Sequence, residues 1–193
     1  MTKPRGRAPS PSAGSKRPAA GAGKPRPSKK PLAEVLGEQR VAGLRINLES
    51  MALVSNIHRA STTIRDHFER SVLTDADLHW SAFVTLWCLW IYGELETRRL
   101  AVEAGVAKST LSGILNTLEA RKLVRRRVNE AERRLVIVNL TAQGAALIST
   151  LFPRFNAEET RIVARLSHAE MRAATAAIRT ILATIAELDE PTS

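Results

Sequence analysis

Apolar residues recur at helical spacing along most of the chain, and the N-terminal stretch lacks any such pattern. Between residues 34 and 70 they form a stripe with steps of three, four or seven positions, which predicts amphipathic helices. Gly43 is the predicted break between a short first helix and a long second one. The stripe consists of Leu44, Leu48, Met51, Val54, Ile57, Ile64 and Phe68.

The segment from Trp80 to Ile91 is apolar on nearly every side, which predicts a central, buried helix. Polar residues at 74–77 are its predicted N-caps. From Thr141 onward the pattern is helical again, and Pro153 is a predicted kink. Ser167 and Glu170 form a predicted capping box. The last helix carries an apolar stripe of Met171, Ala174, Ile178, Ile181, Leu182, Ile185 and Leu188.

Two short helices, at 97–104 and 108–122, are predicted on either side of Gly105, which permits the left-handed backbone of a tight turn. Their inward residues have the spacing of a helix-turn-helix: Leu100, Ala101, Ala104, Val106, Leu111, Ile114, Leu115 and Leu118. The outer side of the second helix carries only small or hydrogen-bonding residues: Lys108, Ser109, Thr110, Ser112, Gly113, Asn116 and Thr117. Such side chains suit base edges and phosphates in a major groove.

A β-hairpin is predicted directly after these helices. Runs of β-branched residues at 124–128 and 135–140 predict its strands, and 93–96 allows one further, very short strand. Arginines stand at 125–127 and again at the tip, as Arg133 and Arg134. A cationic hairpin that follows a helix-turn-helix is rarer by chance than either feature alone, so the pair predicts binding to DNA.

The charge is uneven, with 29 Lys and Arg against 19 Asp and Glu in the whole chain. Residues 1–31 contain nine bases and no acid, and they lack the apolar residues that a fold needs. Residues 97–134 contain ten bases and four acids. Two positive zones on a mildly acidic remainder favour a polyanionic partner. For the tail alone, a merely solvated segment is the alternative.

Other classes of protein find no support. The single Cys88 excludes an internal disulfide and a thiolate zinc cluster. No apolar run is long enough to cross a membrane, and the N-terminus lacks the apolar region of a secretory signal, so we expect a cytoplasmic protein. Enzyme motifs are absent, and the four histidines are scattered, so we expect no catalysis, cofactor or metal.

The stretch from 78 to 147 resembles the multiple-antibiotic-resistance regulator (MarR) family of winged-helix repressors. The family's first helix and turn match 100–106, and its recognition helix and exit match 109–112 and 118–124. The wing signature of that family appears as Glu132-Arg133-Arg134 followed by Leu140-Thr141, with Glu132 in place of the usual Asp.

The resemblance implies a mainly α fold with a small β-wing, in a triangular homodimer whose terminal helices interdigitate. It further implies that Arg134 enters the minor groove and that Glu132 braces it. Gly113 stands where the family often has Arg, which removes one expected contact. The expected organisation is a basic tail at 1–31, dimerisation helices at 32–72, a winged helix-turn-helix at 73–141 and C-terminal dimerisation helices at 142–193.

We therefore predict a homodimeric transcription regulator that binds a palindromic DNA site. We expect a repressor, because repression is commoner than activation among proteins of this kind. Its recognition helix is expected at 108–122 and its wing at 129–134. The residues predicted to contact DNA are Lys108, Ser109, Thr110, Ser112, Gly113, Asn116, Arg126, Arg133 and Arg134. The alternative is a non-specific architectural protein that binds through the basic tail. Only a regulator should prefer its site by roughly a thousandfold or more.

The resemblance also implies a ligand, because regulators of this family usually release DNA when a small molecule, often an aromatic acid, binds between the dimerisation helices and the DNA-binding lobe. The candidate pocket residues are His58, Arg59, Arg65, His79, Trp80, Trp87 and Trp90. Arg or His could pair with a carboxylate and Trp could stack on a ring. For each residue the alternative is a core aromatic or a solvated cation. Cys88 lies in an apolar run, which favours a core residue over an oxidation sensor.

Overall fold

The computed structural model describes residues 29–128 and 135–190. Its helices are α1 (Leu32–Arg40), α2 (Leu48–Phe68), α3 (Trp80–Tyr92), α4 (Thr97–Glu103), α5 (Lys108–Ala120), α6 (Ala142–Ile162) and α7 (His168–Asp189). Its strands are β1 (Leu95–Glu96), β2 (Val124–Val128) and β3 (Val136–Leu140). The predicted fold class, mainly α with a small β-wing, is confirmed. None of the helices in this part is long and apolar enough to span a membrane.

The predicted break at Gly43 separates α1 from α2, and Gly43 has a φ of 97° there. At the start of α2, the side chain of Asn47 accepts a hydrogen bond from the Ser50 N–H at 3.0 Å. Capping of this kind supplies a partner to one of the N–H groups that a helix start leaves without one. The end of α2 continues through a π-helical turn, Glu69–Leu73.

The prediction that residues 74–77 cap α3 is wrong. Thr74–Ala76 forms a 3-10 turn instead, and α3 begins after His79, whose side chain makes no capping bond. The backbone N–H of Trp80 donates to Glu69 Oε1 at 2.8 Å. A carboxylate eleven residues upstream thus does the capping, and local sequence cannot reveal a partner that only the folded α2–α3 corner brings near.

The three strands form one antiparallel sheet in the order β1-β3-β2. The register places Leu95 opposite Val138 and Val124 opposite Leu140. The hairpin predicted from the β-branched runs is therefore confirmed at its strands, while the tip at 129–134 lies outside the described residues.

One apolar core joins the helices α3, α5 and α6 to the sheet. The phenyl ring of Phe155 from α6 stacks on Phe68 and on Phe83, with centroids 3.9 and 4.4 Å apart. This core places α6 with the winged part of the chain, in one compact unit that ends at Arg165. Buried α3 residues confirm a central helix, but its last turn differs from the prediction because Trp90, Ile91 and Tyr92 are exposed.

The described part of the second compact unit consists of residues 166–190, which contain α7. Its predicted capping box is confirmed: the Ser167 side chain accepts from the Glu170 N–H, and the Glu170 carboxylate accepts from the Ser167 N–H. The hydrogen bonds from Ser167 lower the pKa of Glu170. No residue of α7 is buried. In its apolar stripe Met171 and Ile181 are half-buried, and Ile178, Leu182, Ile185 and Leu188 are exposed.

Candidate nucleic-acid interface

The turn between α4 and α5 is built as the sequence predicts. Gly105 has a φ of 63°, a left-handed conformation that residues with a Cβ rarely adopt. The Ala104 N–H donates to the Leu100 carbonyl at 2.9 Å, and the Val106 N–H donates to the Ala101 carbonyl at 3.0 Å. These bonds close the end of α4 and set the direction in which α5 leaves the turn.

Helix α5 divides cleanly into a buried and an exposed side. Leu111, Leu115 and Leu118 are at most 1% exposed and belong to the core. All the residues predicted for the outer face are exposed: Lys108, Ser109, Thr110, Ser112, Gly113, Asn116 and Thr117. The predicted division of this helix is therefore confirmed, and contact of the outer face with DNA stays a prediction.

The N-terminal end of α5 has an uncommon cap. Ala107 occupies the N-cap position and supplies no side-chain hydrogen bond. The first N–H groups of α5 are therefore not satisfied by a capping side chain, and they lie beside Lys108. Unpaired N–H groups and the positive end of the helix dipole together suit a phosphate.

The C-terminal end of α5 is fixed to the corner before α3. Arg121 donates from Nη2 to the Ala76 carbonyl at 2.8 Å, and from Nη1 to the Asp77 carbonyl. Lys122 has a φ of 58°, and the Leu123 N–H donates to the Leu118 carbonyl at 2.9 Å. The helix is thus held at both ends, and sequence analysis missed the part that Arg121 plays.

A polar network joins α5 to β2. Arg126 donates from Nε to Glu119 Oε2 at 2.9 Å, and its Nη2 contacts the same oxygen. Nη2 also donates to Asn116 Oδ1 at 2.9 Å. This guanidinium holds the pKa of Glu119 below its ordinary value. The sequence predicts Arg126 as a DNA contact, whereas the structure places its guanidinium on Glu119 and Asn116.

The arginines on either side of Arg126 point elsewhere, as the alternation of a strand requires. Arg125 is exposed, and Arg127 donates to Glu94 Oε1 at 2.8 Å. A small cleft of about 190 Å³ lies between α5 and the sheet, and Lys108 and Arg126 both line it. Of the three arginines of β2, only Arg126 therefore lies at the edge of α5, together with Lys108.

Three residues with predicted roles in the wing remain. Glu132, Arg133 and Arg134 lie in the hairpin tip, outside the described residues. Their proposed roles as brace and minor-groove contact stay predictions.

The seven candidate pocket residues occupy separate surroundings. Arg65 and Trp80 line one cleft of about 390 Å³ together with Asp66, Glu69 and the turn between α4 and α5. His79 lines a different cleft, beside Arg70. His58 is exposed on α2.

The remaining candidates have partners within the chain. Arg59 donates to Asn56 Oδ1 at 2.8 Å and lies 3.5 Å from a Glu34 oxygen. Trp87 stacks on Phe152 with centroids 4.1 Å apart, and Trp90 lies beside Trp87. Within one chain the seven residues therefore do not line one common cleft, and their part in ligand binding stays a prediction.

Cys88 is 4% exposed on α3, and burial raises the pKa of its thiol. A buried, protonated thiol is a poor nucleophile, so the structure supports the interpretation of Cys88 as a core residue. Among the described residues, no cluster of three or more His, Cys, Asp or Glu could hold a metal ion.

Comparison with known proteins agrees with this geometry. Residues 78–136 match the family model described as MarR family. The uncharacterized HTH-type transcriptional regulator YwaE of Bacillus subtilis strain 168 is 34% identical over 136 residues, which are 70% of this chain and 80% of that protein.

Solved structures share the fold. BpsR of Bordetella bronchiseptica, whose DNA binding is regulated by 6-hydroxynicotinic acid, is 25% identical with a TM-score of 0.61 over 67% of this chain and 98% of its own. A mutant MarR from E. coli, solved with operator DNA, is 20% identical with a TM-score of 0.63 over 69% of this chain and 96% of its own.

Proposed function

Because the chain belongs to the MarR family of transcription regulators, we propose that it is a sequence-specific repressor that binds a palindromic DNA site as a homodimer. The observation that carries this proposal is the exposed polar face of α5, on a helix that is fixed at both ends. In a winged helix-turn-helix, such a helix lies in the major groove. The hairpin tip at 129–134 then reaches the adjacent minor groove, with Arg134 inserted and Glu132 and Arg133 beside it.

The outer face of α5 divides into two kinds of contact. Lys108 and the first backbone N–H groups of α5, which follow Ala107, bind a phosphate. This contact sets the register of the helix on the DNA. The exposed residues that follow approach base edges: Ser109, Thr110, Ser112, Gly113 and Asn116. No acidic side chain lies among them to repel the DNA backbone.

The homodimer is proposed because of the apolar face of α7. Ile178, Leu182, Ile185 and Leu188 are between 46% and 78% exposed in the single chain. Near the other end, Leu32 and Leu36 of α1 are also exposed. Faces of this size are covered in soluble proteins, and a second copy of the chain supplies apolar faces of the same kind.

A small-molecule signal is proposed at the cleft that Arg65 and Trp80 share. Arg65 offers a guanidinium to a carboxylate, and Trp80 offers a ring for stacking. The cleft borders Gly105 in the turn that directs α5, so an occupant there would bias the position of the recognition helix. Asp66 lies 3.6 Å from Arg65 Nε, and Glu69 also lines the cleft, so an aromatic acid binds there by displacing Asp66 from Arg65. BpsR is a relative whose DNA binding is regulated by such an acid.

The test is selection of bound fragments from random duplex DNA by the full chain at physiological salt, where non-specific binding is suppressed. We expect an inverted repeat with half-sites about one helical turn apart. Recovery of no motif, with affinity set only by length and salt, would refute the proposal. It would support the architectural alternative that uses the tail at 1–31.

A further inference from the structure

Asn116 has one side of its amide already occupied. Its side chain lies on the exposed face of α5, and Arg126 Nη2 donates to its Oδ1 at 2.9 Å. A guanidinium has donors only, so the atom that faces it must be the amide oxygen. The NH₂ group of Asn116 is therefore turned away from Arg126, and it donates to no acceptor within the described part of the chain.

The guanidinium is itself held in place. Glu119 accepts from Nε at 2.9 Å and contacts Nη2, and its other oxygen accepts from the Arg126 backbone N–H at 3.2 Å. Glu119 follows Asn116 by three residues, so both lie on one face of α5. The Arg126 guanidinium lowers the pKa of Glu119, so the carboxylate that holds it stays ionised further into the acid range. A planar fork bound in this way fixes orientation as well as position.

We propose that Arg126 is a positioning residue that turns the Asn116 amide so that its NH₂ group, and not its oxygen, faces the base. This inference rests on the proposed placement of α5 in the major groove. An unconstrained Asn reads adenine with both amide atoms, donating to N7 and accepting from N6. That pair needs the oxygen and the NH₂ group to face the base together. The oxygen keeps a second lone pair, but it is turned toward Arg126, so Asn116 pairs poorly with adenine.

The bases are ranked by what they present to two N–H donors. Guanine offers two adjacent acceptors, N7 and O6, whereas cytosine offers only the N4 amino group, which is a donor. The half-site position that Asn116 faces is therefore a guanine in preference to adenine, and cytosine is the worst base there. Arg126 contributes to this choice without touching DNA.

The competing explanation is that Arg126 leaves Glu119 and contacts DNA, as the sequence predicts, through a phosphate. The two explanations differ in salt dependence. Removal of one phosphate contact lowers the slope of log affinity against log salt by about 0.9 and weakens all sequences alike. Removal of a positioning residue leaves the slope unchanged and alters the preference at one base position.

The experiment measures binding of the full chain to its selected site and to duplexes changed at one half-site position at a time. The variant Asn116→Ala first identifies the position that Asn116 reads, by loss of discrimination there. Wild type should prefer guanine over adenine at that position by roughly five- to hundredfold, the range for one good base contact. In Arg126→Ala that ratio should fall to about one or reverse, with an unchanged salt slope.

Two further variants control for charge and folding. Arg125→Ala removes a charge from the exposed neighbour on β2 and should leave the base preference as in wild type. Glu119→Gln keeps the packing but weakens the hold on Arg126, and should shift the preference in the same direction to a smaller extent. Thermal unfolding of each variant shows whether the fold is intact, and Glu119→Gln serves as the test if Arg126→Ala does not fold.

Three outcomes would overturn the inference. A uniform loss over all four bases with a slope reduced by about 0.9 would make Arg126 a phosphate contact. An unchanged profile in Asn116→Ala would show that Asn116 reads no base, while the proposed function would stand because wild type selected a motif. Failure of wild type to select any motif would refute both proposals together.

Discussion

Helices α5 and α7 are both amphipathic, but they dispose of their apolar faces in opposite ways. Helix α5 buries Leu111, Leu115 and Leu118 in the core of its own chain and leaves a polar face outside. Helix α7 buries no residue and leaves Leu182 and Leu188 more than 60% exposed. The same type of sequence pattern thus leads to two different surfaces.

The difference shows which apolar faces are buried within the single chain and which are left exposed. The apolar side of α5 is buried in the core, and hydrogen bonds hold the helix at its ends, so its polar side is a rigid surface. The apolar side of α7 needs a surface that covers it, because exposed apolar area of that extent is unfavourable in water. On the proposed function the first helix meets DNA and the second meets another copy of the chain, so substitutions in the two helices should behave differently.

The largest expected effect is that of Leu115→Ala. Leu115 is 1% exposed, so truncation removes apolar contacts and leaves a cavity, which costs about 2–5 kcal/mol of unfolding free energy. Urea unfolding at several protein concentrations measures this loss, which should not depend on concentration. Ser112→Ala, on the outer face of the same helix, is the matched control and should change stability by less than about 0.5 kcal/mol. Equal effects of the two variants would show that α5 is not anchored as described.

A second large effect concerns the junction between α5 and α6. A Cβ on Gly144 would lie 2.0 Å from the carbonyl oxygen of Leu123, and that oxygen belongs to the backbone. Gly144→Ala therefore forces the start of α6 away from the segment that leaves α5, at a cost of about 1–3 kcal/mol or more. The measurement is the midpoint of thermal unfolding, and a variant as stable as wild type would contradict the close approach.

An intermediate effect, and the one that tests the comparison most directly, is expected for Leu182→Ala. In a dilute monomer this exposed residue should contribute less than about 0.5 kcal/mol. Because association stabilises the folded chain by mass action, its effect should grow with protein concentration. Sedimentation and unfolding over a hundredfold concentration range measure it, with Arg179→Ala as the control on the same helix. An effect independent of concentration would place the partner of α7 within its own chain.

Local sequence was sufficient wherever the physical cause is local. Gly105 in the turn and the Ser167–Glu170 capping box depend on a few neighbouring residues, and both are confirmed. The buried side of α5 follows from helical periodicity. These features account for the fold class and for the exposed face of the candidate interface.

Sequence was insufficient wherever the partner is distant along the chain. Glu69 caps α3 from eleven residues upstream, and Arg121 reaches the Ala76 carbonyl 45 residues away. The seven pocket candidates share residue types that suit an aromatic acid, but Trp87 stacks on Phe152 of α6, a contact that no local pattern shows. The charge of Arg126 predicts a DNA contact, and it does not reveal that the guanidinium bonds to Glu119 in the folded chain. Charge and type identify candidates, and only the tertiary contacts separate them.

A smaller effect concerns acid. His67 of α2 lies 2.7 Å from Glu158 Oε1, and Arg161 lies 2.8 Å from Oε2. The hydrogen bond with His67 is the main cause that lowers the pKa of Glu158, and the bond with Arg161 lowers it further. A carboxyl with a lowered folded pKa stabilises the fold at neutral pH, and that contribution is lost as the pH falls through the lowered value.

We therefore expect Glu158→Gln to be less stable than wild type at pH 7 and to lose less stability between pH 6 and pH 3. Thermal unfolding across that range measures the difference. Glu159→Gln, an exposed neighbour on α6, is the control and should keep the acid dependence of wild type. Parallel curves for Glu158→Gln and wild type would show that the bond between α2 and α6 adds nothing to the acid response.

The smallest expected effect has the opposite sign. A Cβ on Gly113 would meet nothing within 4 Å, in contrast to Gly144. Because glycine in a helix interior loses more backbone entropy than alanine, Gly113→Ala should stabilise the fold by about 0.5–1 kcal/mol. Thermal unfolding measures the gain, and a loss would mean that α5 is not a regular helix at that point. The same variant adds a methyl group to the proposed DNA-facing side of α5. If the backbone approaches the bases closely at this point, we expect the variant to gain stability and to lose DNA affinity.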